Sequence, residues 1–209
     1  GRPDVFAHAG KKILSLMKEA GFRMIMYGVE SFSNKTLEYF GKKINKEDAL
    51  KAINLTIGAG IVPLIYIILF PPYITRKELI ETVDLCVEQL FSAAEVSITS
   101  FIMDLPGSEF YYNKSLKRVT KEYLIGNELI LRKSNYIFPY DKQMFNLAWD
   151  VYTNYPKYEK KFKEYYRIQH VPGRVYSFIF FDIIYKKLGL KSKQKRLRGI
   201  LRNVIEDFR

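Results

Sequence analysis

The chain has 209 residues, of which 48% are apolar and 15% aromatic, and this composition excludes an intrinsically disordered protein. Its net charge is +12, and residues 156–209, with 15 basic and 5 acidic side chains, carry +10 of that total. Such a charge indicates an anionic partner or a solubilising surface. Since no apolar run approaches the ~18 residues that a membrane-spanning helix needs, the sequence predicts no membrane span.

The chain opens with Gly1-Arg2-Pro3-Asp4, without an initiator methionine and without a charged-then-apolar leader. This opening is more typical of a fragment than of a natural N-terminus. We therefore expect a piece of a longer, cytoplasmic protein. Its length fits one domain, or one domain with an appendage.

Cys86 is the single cysteine, so the chain offers no disulfide, no CxxC motif and no cysteine cluster. It lies on a helical face with leucine and valine residues three and four positions apart. We predict a buried core thiol, and the alternative is a reactive nucleophile. His8 and His170 are isolated, and neither has metal-ligand spacing. From these residue types we assign no catalytic residue and no metal ligand in this chain.

The first 110 residues alternate between helical and strand patterns. Residues 2–4 are predicted to form a turn or the end of a strand, because Pro3 lacks a backbone donor. The elements predicted next are a helix over 11–20, a strand over 24–30, a helix over 34–40, a helix from 45 to 57, a strand over 61–70, a helix over 75–91 and a strand over 95–102. Capping boxes are predicted at Asn45 with Asp48 and at Thr75 with Glu78.

The three predicted strands begin near residues 24, 61 and 95, about 35 residues apart, which is the length of a right-handed βαβ crossover. Their continuous apolar runs predict parallel strands that are buried on both faces. Three or four such units form part of a barrel and do not close it. We therefore predict an α/β fold, a partial TIM-like (β/α) barrel with parallel strands over residues 1–110.

Beyond residue 110 this alternation ends, and we predict a mostly helical, basic C-terminal extension over residues 111–209. The elements predicted there are a strand or hairpin around 129–136, a helix over 142–166 that Pro156 could break, an apolar helix over 175–188 and a basic helix over 191–208.

Glu30 and Ser31 lie at the carboxyl end of the first predicted strand, directly after a glycine and a valine. In parallel sheets and barrels, the carboxyl ends of the strands carry the ligand sites, because the loops there vary while the strands stay rigid. Glu30 is therefore the first candidate for a functional residue. The alternative is that both residues only begin the next helix, where acids and hydroxyls favour the free amide donors.

Several tracts follow one another in a characteristic order and spacing. They are Ala20-Gly21-Phe22, Gly28-Val29-Glu30-Ser31, Leu37, Lys43-Ile44-Asn45-Lys46-Glu47, Ala59-Gly60-Ile61, Tyr66-Ile67-Ile68-Leu69-Phe70 and Glu78-Leu79. Together they resemble the radical S-adenosylmethionine (radical SAM) enzymes. The tract Leu69-Phe70-Pro71-Pro72-Tyr73-Ile74-Thr75 is similar to one in the subgroup that carries a cobalamin-binding domain ahead of the radical domain. Leu105-Pro106-Gly107-Ser108 resembles the turn after the sixth barrel strand, so the resemblance covers residues 1–110.

The chain departs from this family at the cluster motif. The family's CxxxCxxC loop provides three thiolates for a [4Fe–4S] cluster, and a chain with one cysteine cannot contain it. The resemblance therefore implies the C-terminal part of a radical SAM enzyme, inert without its N-terminal barrel half. For the full-length enzyme it implies S-adenosylmethionine and the cluster, with cobalamin in this subgroup. The cofactors there generate a 5′-deoxyadenosyl radical that abstracts hydrogen from a substrate.

The resemblance also implies a binding site for S-adenosylmethionine at the ends of the first two strands. Glu30 and Ser31 would face its ribose or methionyl part, since a carboxylate accepts hydrogen bonds from hydroxyls or an ammonium group. Lys43 would pair with the methionyl carboxylate. The stretch from Ile68 to Phe70 would offer backbone groups and an apolar face to adenine. The alternatives are a solvated loop lysine at Lys43 and plain core packing at Phe70.

A second hypothesis is a non-catalytic basic module that binds nucleic acid or another anion through its tail. Six basic residues lie between Lys191 and Arg202. They share a helix with a good apolar face, and no RNP-like or helix-turn-helix pattern accompanies them, so we favour the enzyme fragment. The substrate cannot be inferred, because loops and appended domains determine it. A CxxxCxxC motif encoded upstream of Gly1 would decide for the enzyme.

Overall fold

The computed structural model describes residues 2–92, 94–99, 101–103, 109–116, 118–125, 130–168 and 173–206. In chain order the elements are α1 (Pro3–Glu19), β1 (Met24–Glu30), α2 (Asn34–Tyr39), α3 (Lys46–Gly58), β2 (Val62–Ile68), α4 (Arg76–Phe91), β3 (Glu95–Thr99), β4 (Ile102–Met103), α5 (Glu109–Tyr112), β5 (Arg118–Ile125), β6 (Ile130–Ile137), α6 (Lys142–Tyr166), α7 (Gly173–Lys187) and α8 (Lys191–Glu206). The predicted turn at 105–108 and His170 lie outside the described residues. Within the described part, we find no helix with the length and apolar character that crossing a bilayer requires.

Strands β1, β2 and β3 form one parallel sheet in the order of the sequence. Met24 pairs with Val62 across the first interface, and Leu64 pairs with Glu95 across the second. The chain passes through α2 and α3 between the first two strands, and through α4 between the last two. The predicted α/β fold, with adjacent parallel strands of a partial barrel, is confirmed.

One face of this sheet is packed against helices. Tyr27 of β1 is fully buried, and its hydroxyl lies 2.7 Å from the hydroxyl of Thr56 in α3. The opposite face carries Met24 (41% exposed), Met26 (54%) and Tyr66 (37%). The prediction that the strands are buried on both faces is therefore wrong for the second face. Successive side chains of a strand point to opposite faces of the sheet, and the described helices cover one of these faces.

We call this second surface the open face. It consists of Met24, Met26 and Gly28 of β1 and of Val62, Leu64, Tyr66 and Ile68 of β2. The described residues leave it partly exposed to solvent. Because this face is apolar like the buried one, successive residues of both strands are apolar.

Helix α1 begins at Pro3, well before the predicted start at residue 11, and the turn predicted at residues 2–4 is wrong. Proline is favoured in the first turn of a helix, because its missing amide hydrogen would have no partner there. Asp4 lies in the same turn, where a negative charge is favourable, and it accepts a hydrogen bond from Arg2 at 2.7 Å.

A second sheet is antiparallel and has the order β4, β6, β5. The strand or hairpin predicted around 129–136 is confirmed as β6, and its partner β5 precedes it. The strand predicted over 95–102 was too long, since Ile102 belongs to this second sheet, where it pairs with Ile137. The extension is therefore helical with an antiparallel sheet at its start.

The helix predicted over 142–166 is confirmed as α6, and it continues through Pro156, where the sequence had left a break open. Asp150, on the preceding turns, accepts a hydrogen bond from the hydroxyl of Tyr158 at 2.6 Å and forms an ion pair with Lys187 of α7 at 3.0 Å. These contacts connect the turns on either side of the proline, which offsets the backbone hydrogen bond that proline cannot donate.

Polar contacts connect the C-terminal helices α7 and α8 to helix α4 of the predicted barrel, residues 1–110. Asp84 of α4 accepts a hydrogen bond from the hydroxyl of Tyr185 at 2.7 Å and forms an ion pair with Lys193. Arg76 donates to the backbone oxygen of Leu188 at 3.0 Å. The division into domains at residue 110 stays a prediction, and these contacts connect its two sides.

Candidate functional site

The carboxyl end of β1 departs from regular strand geometry. The pairing with β2 shifts between Gly28 and Glu30, so Val29 is an extra residue, as in a β-bulge. Glu30 has a φ of +67°, a left-handed conformation that residues other than glycine rarely adopt. Such strained residues are concentrated at functional sites, which makes the backbone itself an argument for Glu30 as a candidate.

The carboxylate of Glu30 forms an ion pair with Lys42, with 3.1 Å between Nζ and Oε1. The Glu30 side chain is 22% exposed and that of Lys42 36%. A Cβ atom at Gly28 would lie 2.9 Å from Oε1 of Glu30 and 3.8 Å from Nζ of Lys42. Since a side chain at Gly28 would point to the open face, the ion pair lies at that face, in space that the glycine leaves free.

The structure pairs Glu30 with Lys42, which sequence reasoning missed. Lys43, which it named, is exposed, and no ion pair or hydrogen bond of its side chain is found within the described ranges. The two lysines are neighbours, so only the direction of the backbone after α2 distinguishes them. The amide of Lys42 donates to the backbone oxygen of Leu37 at 3.0 Å, which ties this residue to the end of the helix.

Ser31 has an internal role for its side chain. It is 1% exposed, and its hydroxyl accepts a hydrogen bond from the amide of Ser33 at 3.0 Å and lies 3.4 Å from that of Thr82. The N-cap of α2 is Ser33, whose side chain accepts from the amide of Thr36. The alternative that Glu30 and Ser31 begin this helix is therefore wrong. Its amide also donates to the backbone oxygen of Val29 at 2.9 Å, so both the hydroxyl and the amide of Ser31 are used within the protein.

Ile68 and Phe70 lie in different surroundings at the end of β2. Ile68 is partly buried at the open face and packs against a small cluster that includes Ile102 and Ile137. Phe70 is fully buried, and its ring centre lies 6.0 Å from that of Phe101 in a stacked arrangement. The side chain of Phe70 packs in the core, as its alternative interpretation predicted.

Five aromatic side chains, which we call the aromatic rim, adjoin the carboxyl end of β2. They are Tyr39, Phe40, Tyr73, Phe110 and Tyr140. Tyr39 contacts Tyr73 with 4.5 Å between ring centres, and Tyr73 stacks on Tyr140 at 5.1 Å. Burial raises the pKa of the Tyr39 phenol above its ordinary value. Sequence reasoning missed the rim, because its members come from distant parts of the chain.

Residues 2–86 match the sequence profile of the Radical SAM superfamily. The match covers 85 of the 209 residues, and we call residues 2–86 the radical SAM segment. It contains β1 and β2, the Glu30–Lys42 pair and most of α4. The resemblance inferred from the sequence is thereby confirmed for residues 2–86, and the tract at residues 105–108 lies beyond the match.

The radical SAM segment and its extension together are similar to solved structures of the cobalamin-dependent S-adenosylmethionine radical enzyme OxsB. The structure with aqua-cobalamin superimposes with a TM-score of 0.59 at 16% identity, over 95% of this chain and 37% of that chain. The structure with aqua-cobalamin and S-adenosylmethionine has a TM-score of 0.57, also at 16% identity, over 100% of this chain. At this identity the likeness concerns the fold.

A curated relative is similar over a shorter stretch. The uncharacterized methyltransferase PH0819 of Pyrococcus horikoshii is 27% identical over 121 residues, which are 58% of this chain and 24% of that protein. The chain thus spans about a quarter of the length of this relative and 37% of the length of OxsB.

The residues of this chain do not fit a [4Fe–4S] cluster. Such a cluster needs three thiolates, and Cys86, the single cysteine, is buried in α4, as predicted. Burial raises the pKa of its thiol, so the thiolate that a metal ligand or nucleophile requires is disfavoured. Within the described ranges, no three His, Cys, Asp or Glu side chains come together as metal ligands.

Proposed function

We propose that this chain is the C-terminal part of a radical SAM enzyme and contributes Glu30 and Lys42 to the binding of S-adenosylmethionine. The observation that carries the proposal is the ion pair of these residues, at the carboxyl end of β1 and beside the open face, within the segment that matches the superfamily. The N-terminal half of the barrel, which would hold the cluster, lies outside this chain.

Glu30 and Lys42 fit complementary parts of the cofactor. A carboxylate accepts hydrogen bonds from ribose hydroxyls or an ammonium group, and a lysine pairs with a carboxylate, so the methionyl end suits both. In this role Lys42 takes the place that we expected for Lys43. The fixed backbone at Glu30 holds its side chain in position before binding, which lowers the entropic cost of binding.

The remaining residues of the predicted site support the proposed binding site in different ways. Ile68 offers an apolar surface at the end of the open face, next to backbone groups that adenine could contact. Ser31 and Phe70 hold the ends of β1 and β2 through buried contacts. In the full-length protein, a cluster held outside this chain together with S-adenosylmethionine would supply the radical chemistry, and Glu30 and Lys42 would hold and orient S-adenosylmethionine. The task of this chain is to orient S-adenosylmethionine and to exclude water from the binding site.

We also propose cobalamin as a cofactor of the full-length protein. Support comes from the fold of OxsB, a cobalamin-dependent enzyme, and from the sequence tract at residues 69–75 that is similar to the cobalamin-associated subgroup. The chain alone would be inert, because it cannot bind the cluster.

The test uses the full-length, cluster-reconstituted enzyme and measures the affinity for S-adenosylmethionine. Glu30→Gln should weaken binding about ten- to a hundredfold, since it removes one charge-assisted hydrogen bond. Lys42→Gln should weaken binding in the same direction. Lys43→Gln is the matched control, because it removes the same charge one residue away, and it should leave the affinity unchanged. If Lys43→Gln weakened binding and Lys42→Gln did not, the assignment of the cation would be wrong.

A further inference from the structure

A cavity of about 210 Å³ lies between helices α6, α7 and α8, and none of its lining residues belongs to β1 or β2. Its inner wall is apolar and aromatic, with Phe162 (7% exposed), Ile179 (1%) and Ile183 (3%). An apolar cavity of about 150 Å³ holds one benzene ring. The volume and the lining therefore suit a single planar ring.

The charge at this cavity is positive. Lys161 and Lys186 line it and are exposed, and across the described ranges neither forms an ion pair. The carboxylate among the lining residues, Asp182, accepts hydrogen bonds from Nε and Nη2 of Arg198 at 2.6 and 2.8 Å. Since that carboxylate is already compensated, the two lysines determine the sign of the charge that a ligand would meet.

Two of the lining tyrosine rings are held in place. The hydroxyl of Tyr158 donates to Asp150 at 2.6 Å. The guanidinium of Arg198 lies 5.5 Å from the ring centre of Tyr165, and Arg202 donates to the Tyr165 hydroxyl at 2.8 Å. Side chains that are ordered before binding lower the entropic cost of taking up a ligand.

We propose that this cavity binds a small anion that carries one planar ring, such as an aryl phosphate. The ring lies among the aromatic side chains, and the anionic group lies between Lys161 and Lys186. Aromatic rings favour stacked or edge-on contacts with a planar ligand, and a phosphate accepts hydrogen bonds from ammonium groups. This site is independent of the proposed S-adenosylmethionine site and uses part of the positive charge of the extension.

Phenyl phosphate is the probe, and its binding to the 209-residue chain is measured by titration calorimetry. It should bind more tightly than phenol or inorganic phosphate, because phenol lacks the group that contacts the lysines and inorganic phosphate lacks the ring. Added salt should weaken binding, since the lysines are exposed and their charge is screened. The double variant Lys161→Gln with Lys186→Gln should lose about tenfold in affinity.

The matched control is Lys157→Gln with Lys160→Gln, which removes two positive charges from exposed positions of α6, the helix that carries Lys161, outside the cavity. It should bind phenyl phosphate like the parent chain. An equal loss in both double variants would overturn the proposal, because it would assign binding to the positive charge of the C-terminal extension as a whole. Inorganic phosphate that binds as tightly as phenyl phosphate would overturn it as well. So would an RNA oligonucleotide that displaces the probe and binds the cavity variants unchanged.

Discussion

At the scale of single residues, the position of one carboxylate depends on a missing side chain. Glu30 reaches over the backbone at Gly28, and a Cβ atom there would meet Oε1 of Glu30 at 2.9 Å. The neighbour that would have to move is the far end of a flexible side chain. A methyl group at this position would therefore displace the carboxylate and leave the strand intact.

We expect Gly28→Ala in the full-length, cluster-reconstituted enzyme to weaken S-adenosylmethionine binding about tenfold, the loss of one charge-assisted hydrogen bond. Its melting temperature should stay close to that of the parent. Gly58→Ala is the control: it lies at the end of α3 with nothing within 4 Å of the added Cβ. It should stabilise the protein by up to about 1 kcal/mol and spare binding. A lowered melting temperature with unchanged affinity in Gly28→Ala would contradict this account.

At the scale of elements, Glu78 connects the starts of two helices. Its Oε2 accepts from the backbone amide of Thr75 at 2.9 Å, in the predicted capping box of α4. Its Oε1 accepts from the hydroxyl of Ser33, the N-cap of α2, at 3.0 Å. Burial opposes the charge, but these hydrogen bonds hold the pKa of Glu78 below its ordinary value. The capping box predicted at Thr75 is confirmed, and it also positions the helix that follows Glu30.

Glu78→Gln should lower the free energy of unfolding by about 1 kcal/mol at neutral pH, as losses of helix caps do. Because the folded-state pKa is lowered, the charged form stabilises the fold above the ordinary pKa of about 4.3, and this contribution disappears as pH falls through the folded value. The difference in unfolding free energy between parent and variant should therefore shrink in acid. Thermal unfolding measured between pH 7 and about pH 3 tests this.

Glu88→Gln is the matched control on α4, since Glu88 is exposed and outside the capping box. It should leave the unfolding free energy unchanged or raise it slightly, because a negative charge near the end of a helix is unfavourable. A difference between parent and Glu78→Gln that does not depend on pH would show that the carboxylate charge has no part in the cap.

At the scale of the whole molecule, the open face is the main unusual feature. Met24 and Met26 are 41% and 54% exposed there, whereas the other face of the same strand is buried. Strand β1 also lies at the edge of its sheet, and an edge strand with free backbone groups is a liability that proteins normally cover. Both features fit a barrel whose other half comes from elsewhere in the full-length protein.

Oxidation with hydrogen peroxide, followed by mass spectrometry, tests this interpretation. In the isolated chain, Met24 and Met26 should oxidise well before Met144, which is fully buried. In the full-length protein the same two residues should be protected, because the rest of the barrel covers them. Equal oxidation of Met26 in both proteins would mean that the open face does not become an interior surface. Light scattering on the isolated chain should reveal either dimers, formed through the β1 edge, or monomers with that face accessible.

Local and periodic signals were sufficient for most elements and for the family. The spacing of the apolar runs predicted three parallel strands, the caps at Asn45 and Thr75 predicted helix starts, and the tracts around Gly28–Ser31 predicted the radical SAM segment. These features depend on neighbours in the sequence, so the sequence by itself determines them. At Pro3 the prediction failed, because proline suits a first helical turn as well as a turn or strand end. At Pro156 the sequence left open whether the helix breaks, because contacts from neighbouring turns and helices decide it.

Only the tertiary structure decided which side chains meet. Lys42 and Lys43 are chemically equivalent in the sequence, and the direction of one turn brings Lys42 to Glu30. The aromatic rim and the cavity between α6, α7 and α8 assemble residues from distant segments. The exposure of the open face could not be predicted for a related reason. A strand that lines a barrel and a strand covered by helices are equally apolar, so burial depends on what packs against each face.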